Sequence, residues 1–304
     1  MLQDKLIMKI KLITLFIVLV CIGCINKNCG CQKYKSYAVV DTTISRVNLV
    51  KVDLGWYKSG LKCETKNINY SYWIGRYEIT NKQFFDFMID AIHENKIVLN
   101  QHRILCFYEG NENIKPDSFL VKYTDHAIYI NTNNQIELNE QYANHPVIGV
   151  SWFGAKAFCT FYGFDLPSVD EWEKAARGNN CSRFPWGDEI DSTYANYFNS
   201  NDPFEPYTTP IGFFNGTKKN NLNTKDAVSA YGCYDMAGNA WEWTRDKFEN
   251  NSGYYCGKGG GFNLHTPAHM QVYYVSTFRV KDKHPALDRT HLSDGFRVIK
   301  HINN

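Results

Sequence analysis

The chain has 304 residues, with 33 Lys and Arg against 31 Asp and Glu and a formal charge of +2. So even a balance supplies no basic face for nucleic acid, and no polybasic run marks an anionic membrane partner. The length suits one large domain or two small ones.

In chain order, the first element is a leader. Lys9 and Lys11 precede the apolar run LITLFIVLVCIGC, residues 12–24. That run is shorter than the roughly 20 residues a spanning helix needs. A charged start, an apolar centre and a small-residue end predict a signal peptide over residues 1–23, with Met8 as an alternative start. Cys21-Ile-Gly-Cys24 is similar to a bacterial lipobox, although Cys21 stands where Leu or Val is commoner. Gly23 would precede the cut, and Cys24 would carry the acyl chains that anchor the protein to the envelope. Ile25 follows, not an Asp retention signal, so the outer membrane is the expected address. Removing residues 1–23 leaves equal numbers of acidic and basic residues. Residues 24–45 read as a polar tether and residues 46–304 as the folded domain.

Three helices carry local signals. Thr80-Asn-Lys-Gln83 is a capping box ahead of FFDFMIDAI. A second helix runs from Ser151 through WFGAKAFCTFY to a stop at Gly163. Ser168-Val-Asp-Glu171 is another capping box, with Gly178 as its stop. YSYWIGRYEI (70–79) and MQVYYVSTFRV (270–280) read as strands from their aromatic and β-branched content. The remainder is long, aromatic, Asn- and Gly-rich loop, which in a compact domain needs an organiser such as a metal ion or a disulfide. Beyond Cys21 and Cys24 lie Cys29, Cys31, Cys63, Cys106, Cys159, Cys181, Cys233 and Cys256. Export permits disulfides among them, but their pairing is not legible. Cys159 lies in an apolar helical pattern and reads as a buried thiol. Trp152, Trp172, Trp186, Trp241 and Trp243 read as core.

Seven segments resemble, in order, the formylglycine-generating enzyme or sulfatase-modifying factor domain family. They are YWIGRYEITNKQFFDFM (72–88), HPVIGVSWFGAKAFCTFYGFDLPSVDEWEKAARG (145–178) with FPWGDE (184–189), YANYF (194–198), DPFEPYTTPIGFF (202–214), AYGCYDMAGNAWEWTRD (230–246), GKGGGF (257–262) and DGFRV (294–298). The resemblance implies an α+β, decorated C-type-lectin-like fold, rich in loops, with few short helices and strands. It also implies structural calcium. Asp235 and Glu242 would ligate by side chain, and Gly238 and Ala240 by carbonyl. A second set comprises the side chains of Asn196 and Asp202 and the carbonyls of Tyr197 and Phe204. Calcium takes six to eight oxygens, which such loops supply. Gly259, Gly260 and Arg297 match family positions with structural roles: positive φ or close approach for the glycines, and a fork of donors for the arginine.

In the enzyme branch two cysteines near the glycines bind Cu(I) and oxidise a substrate cysteine. Here Gly261 sits at the serine position, Leu264 at the first cysteine position and His269 at the second. Leucine neither ligates metal nor passes electrons, so no catalytic residue is assigned and copper is not expected. His265 and His269 are the only transition-metal candidates; they are four apart, but Pro267 between them interrupts a regular helix.

The expectation is therefore an exported lipoprotein whose domain is a calcium-stabilised binding or scaffold module for a protein or peptide partner. The alternative is a divergent metal-dependent oxidoreductase acting on a peptide or small molecule. A third reading is a lectin-like glycan- or peptide-binding domain.

Overall fold

Three capped segments set the helical part of the fold. Helix α1, Asn81–His93, starts at Thr80, whose side chain accepts from Gln83 N while the Gln83 side chain reaches back to Thr80 N. Its buried Phe84, Phe87, Met88 and Ala91 form one stripe at helical spacing. Helix α2, Trp152–Phe161, is capped by Ser151 and is followed by Gly163 at φ +72. Helix α3, Val169–Arg177, carries the Ser168–Glu171 capping box and ends at Gly178, φ +57. All three starts agree with the capping signals, as do the stops expected at Gly163 and Gly178; helix α1 ends at His93 with Glu94 as its C-cap.

The structure is a computed structural model. It describes residues 47–100, 103–106, 118–119, 127–219, 221–249, 253–279 and 293–302. Every described residue belongs to one compact unit, Thr43–Asn304. The expected signal peptide and tether, with Cys24, Cys29 and Cys31, lie outside the described residues. Among the described residues no helix is long and apolar enough to cross a membrane.

The strands are short. They are β1 Leu49–Val52, β2 Gly55–Ser59, β3 Glu64–Ile68, β4 Tyr72–Gly75, β5 Ile97–Asn100, β6 Arg103–Cys106, β7 Ser118–Phe119, β8 Ile128–Ile130, β9 Ile136–Leu138, β10 Lys218–Lys219, β11 Leu222–Asn223, β12 Trp241–Phe248, β13 Tyr254–Lys258, β14 Ser276–Arg279, β15 Asp294–Gly295 and β16 Ile299–His301. Two sheets organise the site. One has the order β1-β4-β16, all antiparallel, and the other β14-β13-β12-β15, with β15 parallel to β12. The hairpin β2–β3 stands apart as its own two-stranded sheet. The mixed α+β architecture with long loops is the one expected.

The expected strand over 270–280 is shorter than its composition suggests. Pro267–Met270 forms a 3-10 turn, Tyr274 N bonds back to Gln271 O, and only Ser276–Arg279 pairs with β13. Met270 and Val272 are fully buried in different clusters, so the chain turns inward where alternation would have carried it along a sheet.

Strand β12 separates two environments by its two-residue period. Trp241 and Trp243 enter the larger core with Phe278, Phe296 and the aromatic stripes of α1 and α2. Glu242, between them, meets Trp172 of α3, the centre of the second core. Trp152, Trp172, Trp241 and Trp243 are buried and Trp186 is half-buried, as expected of core indoles.

Cys63 and Cys181 form a disulfide that closes a separation of 118 residues, a pairing no sequence spacing indicated. Cys159, Cys233 and Cys256 are free, buried thiols, Cys159 in accordance with its apolar helical setting.

Candidate functional site: a buried carboxylate loop and the glycine-rich segment beside it

The loop leading into β12 is wound by left-handed residues: Asp235 at φ +59, Gly238 at +83 and Asn239 at +63. This winding turns successive peptide groups to different sides, so that Gly238 N reaches Gly259 O and Asn239 N reaches Asn196 O. A Cβ on Gly238 would lie 2.2 Å from Asn196 O, so only glycine allows the two loops to touch.

Three buried carboxylates meet in this region. Glu78 Oε1 accepts from Ala240 N, and its Oε2 accepts from the Asn239 side-chain amide. Asp235 Oδ2 accepts from Gly212 N at 2.5 Å. Glu242 Oε2 accepts from Arg297 Nε at 2.5 Å and Trp172 Nε1 at 2.6 Å, and its Oε1 from Arg297 Nη2 at 2.6 Å. The remaining Arg297 donors reach the carbonyls of Gly75, Arg76 and Tyr234, the fork expected of this residue. Burial raises the Asp235 carboxyl to about 6, opposed by the Gly212 N–H and Arg297. Burial, then the charges of Asp235 and Glu242, lifts Glu78 well above the usual carboxylate range. One guanidinium thus faces three carboxylates in a site shielded from water.

These donors bear on the calcium expectation. The Asp235 carboxylate and the carbonyls of Gly238 and Ala240 fit a hard cation, which would offset the surplus negative charge. Glu242 fits less freely, because three donors already occupy its oxygens. Ala240 O and Glu242 Oε1 lie 3.7 and 3.9 Å from the point a Gly259 Cβ would occupy, so both border the same spot. Among the described residues no three His, Cys, Asp or Glu side chains converge on a metal position. A cation here would rest mainly on backbone oxygens.

The second expected set is closed by its own turns. The Asn196 amide donates to Tyr207 O, and Tyr197 O accepts from Ser200 N. Asp202 Oδ1 accepts from Phe204 N, its Oδ2 from the Ser200 hydroxyl, and Phe204 O from Tyr207 N. Burial raises Asp202 above its ordinary value. The four residues are brought together, and turn hydrogen bonds already engage the Asp202 carboxylate and both carbonyls.

The glycine-rich segment follows β13. Lys258 is fully buried, its Nζ donating to Val272 O and Tyr274 O above the Trp172 ring, and burial lowers it to about 8. Gly260, at φ +83, would place a Cβ 2.5 Å from Met270 Cγ and 2.9 Å from Leu264 Cδ1. A Cβ at Gly261 would meet the Ser293 Cβ at 2.9 Å, so a serine there would displace Ser293. Leu264 is half-buried against both neighbouring cores. Thr266 caps the 3-10 turn and Pro267 opens it, so His265 lies outside the turn and His269 within it. The His265 ring packs on Phe198 at 3.9 Å and the His269 ring on Tyr274 at 4.7 Å. The two histidines therefore serve different aromatic partners.

Glu78, Asn239, Lys258 and Ser293 escaped the sequence reading. Glu78 alone carried a signal: an acid inside the otherwise aromatic and β-branched run YWIGRYEI.

Comparison with known proteins matches residues 48–302 to the sulfatase-modifying factor enzyme 1-like domain. The chain is 36% identical over 138 residues to a protein named serine/threonine-protein kinase Pkn1 from Chlamydia trachomatis serovar L2, covering 45% of this chain and 19% of that one. It is 40% identical over 105 residues to the formylglycine-generating enzyme of Thermomonospora curvata, covering 34% of each. The match thus spans about a fifth to a third of the length of these relatives. The structure of PvdO from Pseudomonas aeruginosa shares the fold, with a TM-score of 0.54 at 17% identity over 84% of this chain and 94% of that one. The chain belongs to the sulfatase-modifying factor enzyme 1-like domain family.

Proposed function

We propose that this protein is an exported, lipid-anchored envelope protein whose family domain serves as a binding or scaffold module and does not carry out copper-dependent cysteine oxidation. Leu264 carries this reading. The segment that would need a thiolate presents an aliphatic side chain instead, packed against two cores and close to Gly260. His269, at the second position, packs at a tilt on Tyr274. The kinase-named relative shares only a fifth of its length with this chain, so its printed activity is not carried over.

Structural calcium belongs to the same proposal, at the loop of Asp235, Gly238 and Ala240 with Glu242 behind it. The surplus of buried carboxylate supports it. Acylation at Cys24 and an outer-membrane address rest on the lipobox-like CIGC alone. The oxidoreductase alternative gains nothing from His265 and His269, which turn to separate rings.

The test is elemental analysis by mass spectrometry on protein purified without chelator, together with incubation of a cysteine-containing peptide with the protein and Cu(I). Calcium at about one per chain, no retained copper and an unmodified peptide are expected. Copper near one per chain, or oxidation of the peptide cysteine, overturns the reading.

A further inference from the structure

The first hairpin of the domain presents apolar side chains to solvent in a way its surroundings do not require. Leu54, Trp56 and Leu61 are 62%, 63% and 72% exposed. Trp56 stands on the outward face of the hairpin opposite Asn67, with Lys58 opposite Thr65, and Leu54 lies on the bend that leads into β2. Leu61 and Lys62, both exposed, occupy the connection between β2 and β3. The inward face, Tyr57, Ser59 and Ile68, is buried.

This hairpin is held firmly. Lys58 N donates to Gly178 O and Gly60 N to Glu173 Oε1. Arg177 donates to Lys58 O and Gly60 O while pairing with Glu173 at 2.6 Å, both side chains buried. Lys174 Nζ reaches Gly55 O, and the disulfide to Cys181 ties down Cys63 beyond the connection. Helix α3 thus fixes a hairpin whose solvent face carries Trp56 beside Lys58, Thr65 and Asn67, with Leu54 before it and Leu61 at its turn. Exposed apolar groups gathered on a rigid support mark an interaction surface.

We propose that this hairpin docks on an anionic lipid bilayer, with Trp56, Leu54 and Leu61 entering the interfacial layer and Lys58 and Lys62 meeting headgroup phosphates. Tryptophan favours the boundary between headgroups and acyl chains. Lysines beside it add attraction to anionic lipid, and lysine stems tolerate partial burial. The other nearby lysines, Lys51 and Lys66, are paired with Asp53 and Asp170, whereas Lys58 Nζ donates to the neutral Thr65 hydroxyl, so Lys58 and Lys62 supply positive charge beside the apolar side chains, with the exposed Glu64 the acid of the same hairpin. In the chain, Leu54 lies 30 residues after Cys24, the position read as the lipid anchor. The inference rests on that reading for its setting. A bilayer suits side chains that stand out on a narrow hairpin, since lipid conforms to them.

The experiment uses residues 43–304, the compact unit that contains both apolar cores and the disulfide. It is sedimented with vesicles of phosphatidylethanolamine and phosphatidylglycerol. Partition onto the vesicles is expected, and Trp56→Ser with Leu61→Ser should lower it at least about tenfold. Trp73→Ser, at an exposed Trp of the β1-β4-β16 sheet, should leave it unchanged. All three positions are exposed, so the variants are expected to keep the parent urea midpoint. The proposal is overturned if the parent does not partition, if the double variant partitions equally, or if that variant abolishes self-association instead, which would identify a second copy as the occupant. Intact mass of the full chain recovered from membranes reads acylation at Cys24 separately, so the anchor and the hairpin fail independently.

Discussion

Glu242 and Arg297, 55 residues apart in sequence, form a two-point ion pair with both side chains fully buried. The pair bridges β12 to the chain leading into β16. It also takes in Trp172 of α3 and three backbone carbonyls near β4. Glu242 thus reaches one apolar core through Trp172, while its chain neighbours Trp241 and Trp243 lie in the other. Breaking such a pair from one side leaves an uncompensated buried charge. Arg297→Ala or Glu242→Ala is expected to cost about 3–5 kcal/mol, read from urea unfolding. Arg297→Lys should recover little of this, because an ammonium does not reproduce the planar fork.

Gly238→Ala should separate the two loops. The substitution adds a Cβ that would lie 2.2 Å from a backbone oxygen, at φ +83. A loss of about 2 kcal/mol or more is expected, together with faster amide exchange at Asn239, whose N–H is bonded to Asn196 O. Unchanged exchange at Asn239 would mean that the junction is not maintained in solution.

Calcium should act as a stabilising ligand. At a concentration about a hundred times its dissociation constant, it should add roughly 2.7 kcal/mol to the unfolding free energy over that in chelator. Asp235→Asn should reduce this increment, while Asp202→Asn should leave it nearly intact, since Asp202 is already satisfied by Phe204 N and Ser200. An equal loss from both variants would place an ion at the second loop as well.

Acid should unfold the protein partly through His145. The ring is buried, its Nδ1 meets the Thr208 hydroxyl, and burial lowers it to about 4 from an ordinary 6.5. The folded state binds this proton less tightly than the unfolded state. The stability involved is therefore complete above about 6.5 and is lost as pH falls through about 4. Across that window the loss should reach up to about 3 kcal/mol, and His145→Gln should flatten the dependence in a series of urea titrations.

Removing the Cys63–Cys181 disulfide frees a separation of 118 residues. The double serine variant should lose about 2–4 kcal/mol. Because the bond ties the connection after Leu61 to the chain after α3, proteolysis near residues 60–63 should increase before global unfolding does.

The helices were legible because their signals are local. Thr80, Ser151 and Ser168 each cap amides within three residues, and these contacts form whatever the rest of the chain does. The loop residues were legible by resemblance alone: nothing in the spacing of Asp235, Gly238, Ala240 and Glu242 reveals that Glu242 faces Arg297. The strand expected over 270–280 was only partly right, because Met270 and Val272 are drawn into separate cores, a packing demand that composition does not carry.

By itself the sequence determined the three helices with their caps, the family resemblance, and the absence of a thiol pair at Leu264 and His269. Each is a property of residue identity or of neighbours within one turn. Only the tertiary structure decided that Glu242 belongs to Arg297 and Trp172, that Cys63 finds Cys181, that His265 and His269 turn to different rings, and that Trp56 stays in solvent while Trp172 is buried. These pairings join residues far apart in the chain, and they are selected by the need to satisfy buried charge and fill two cores at once, which no local pattern encodes.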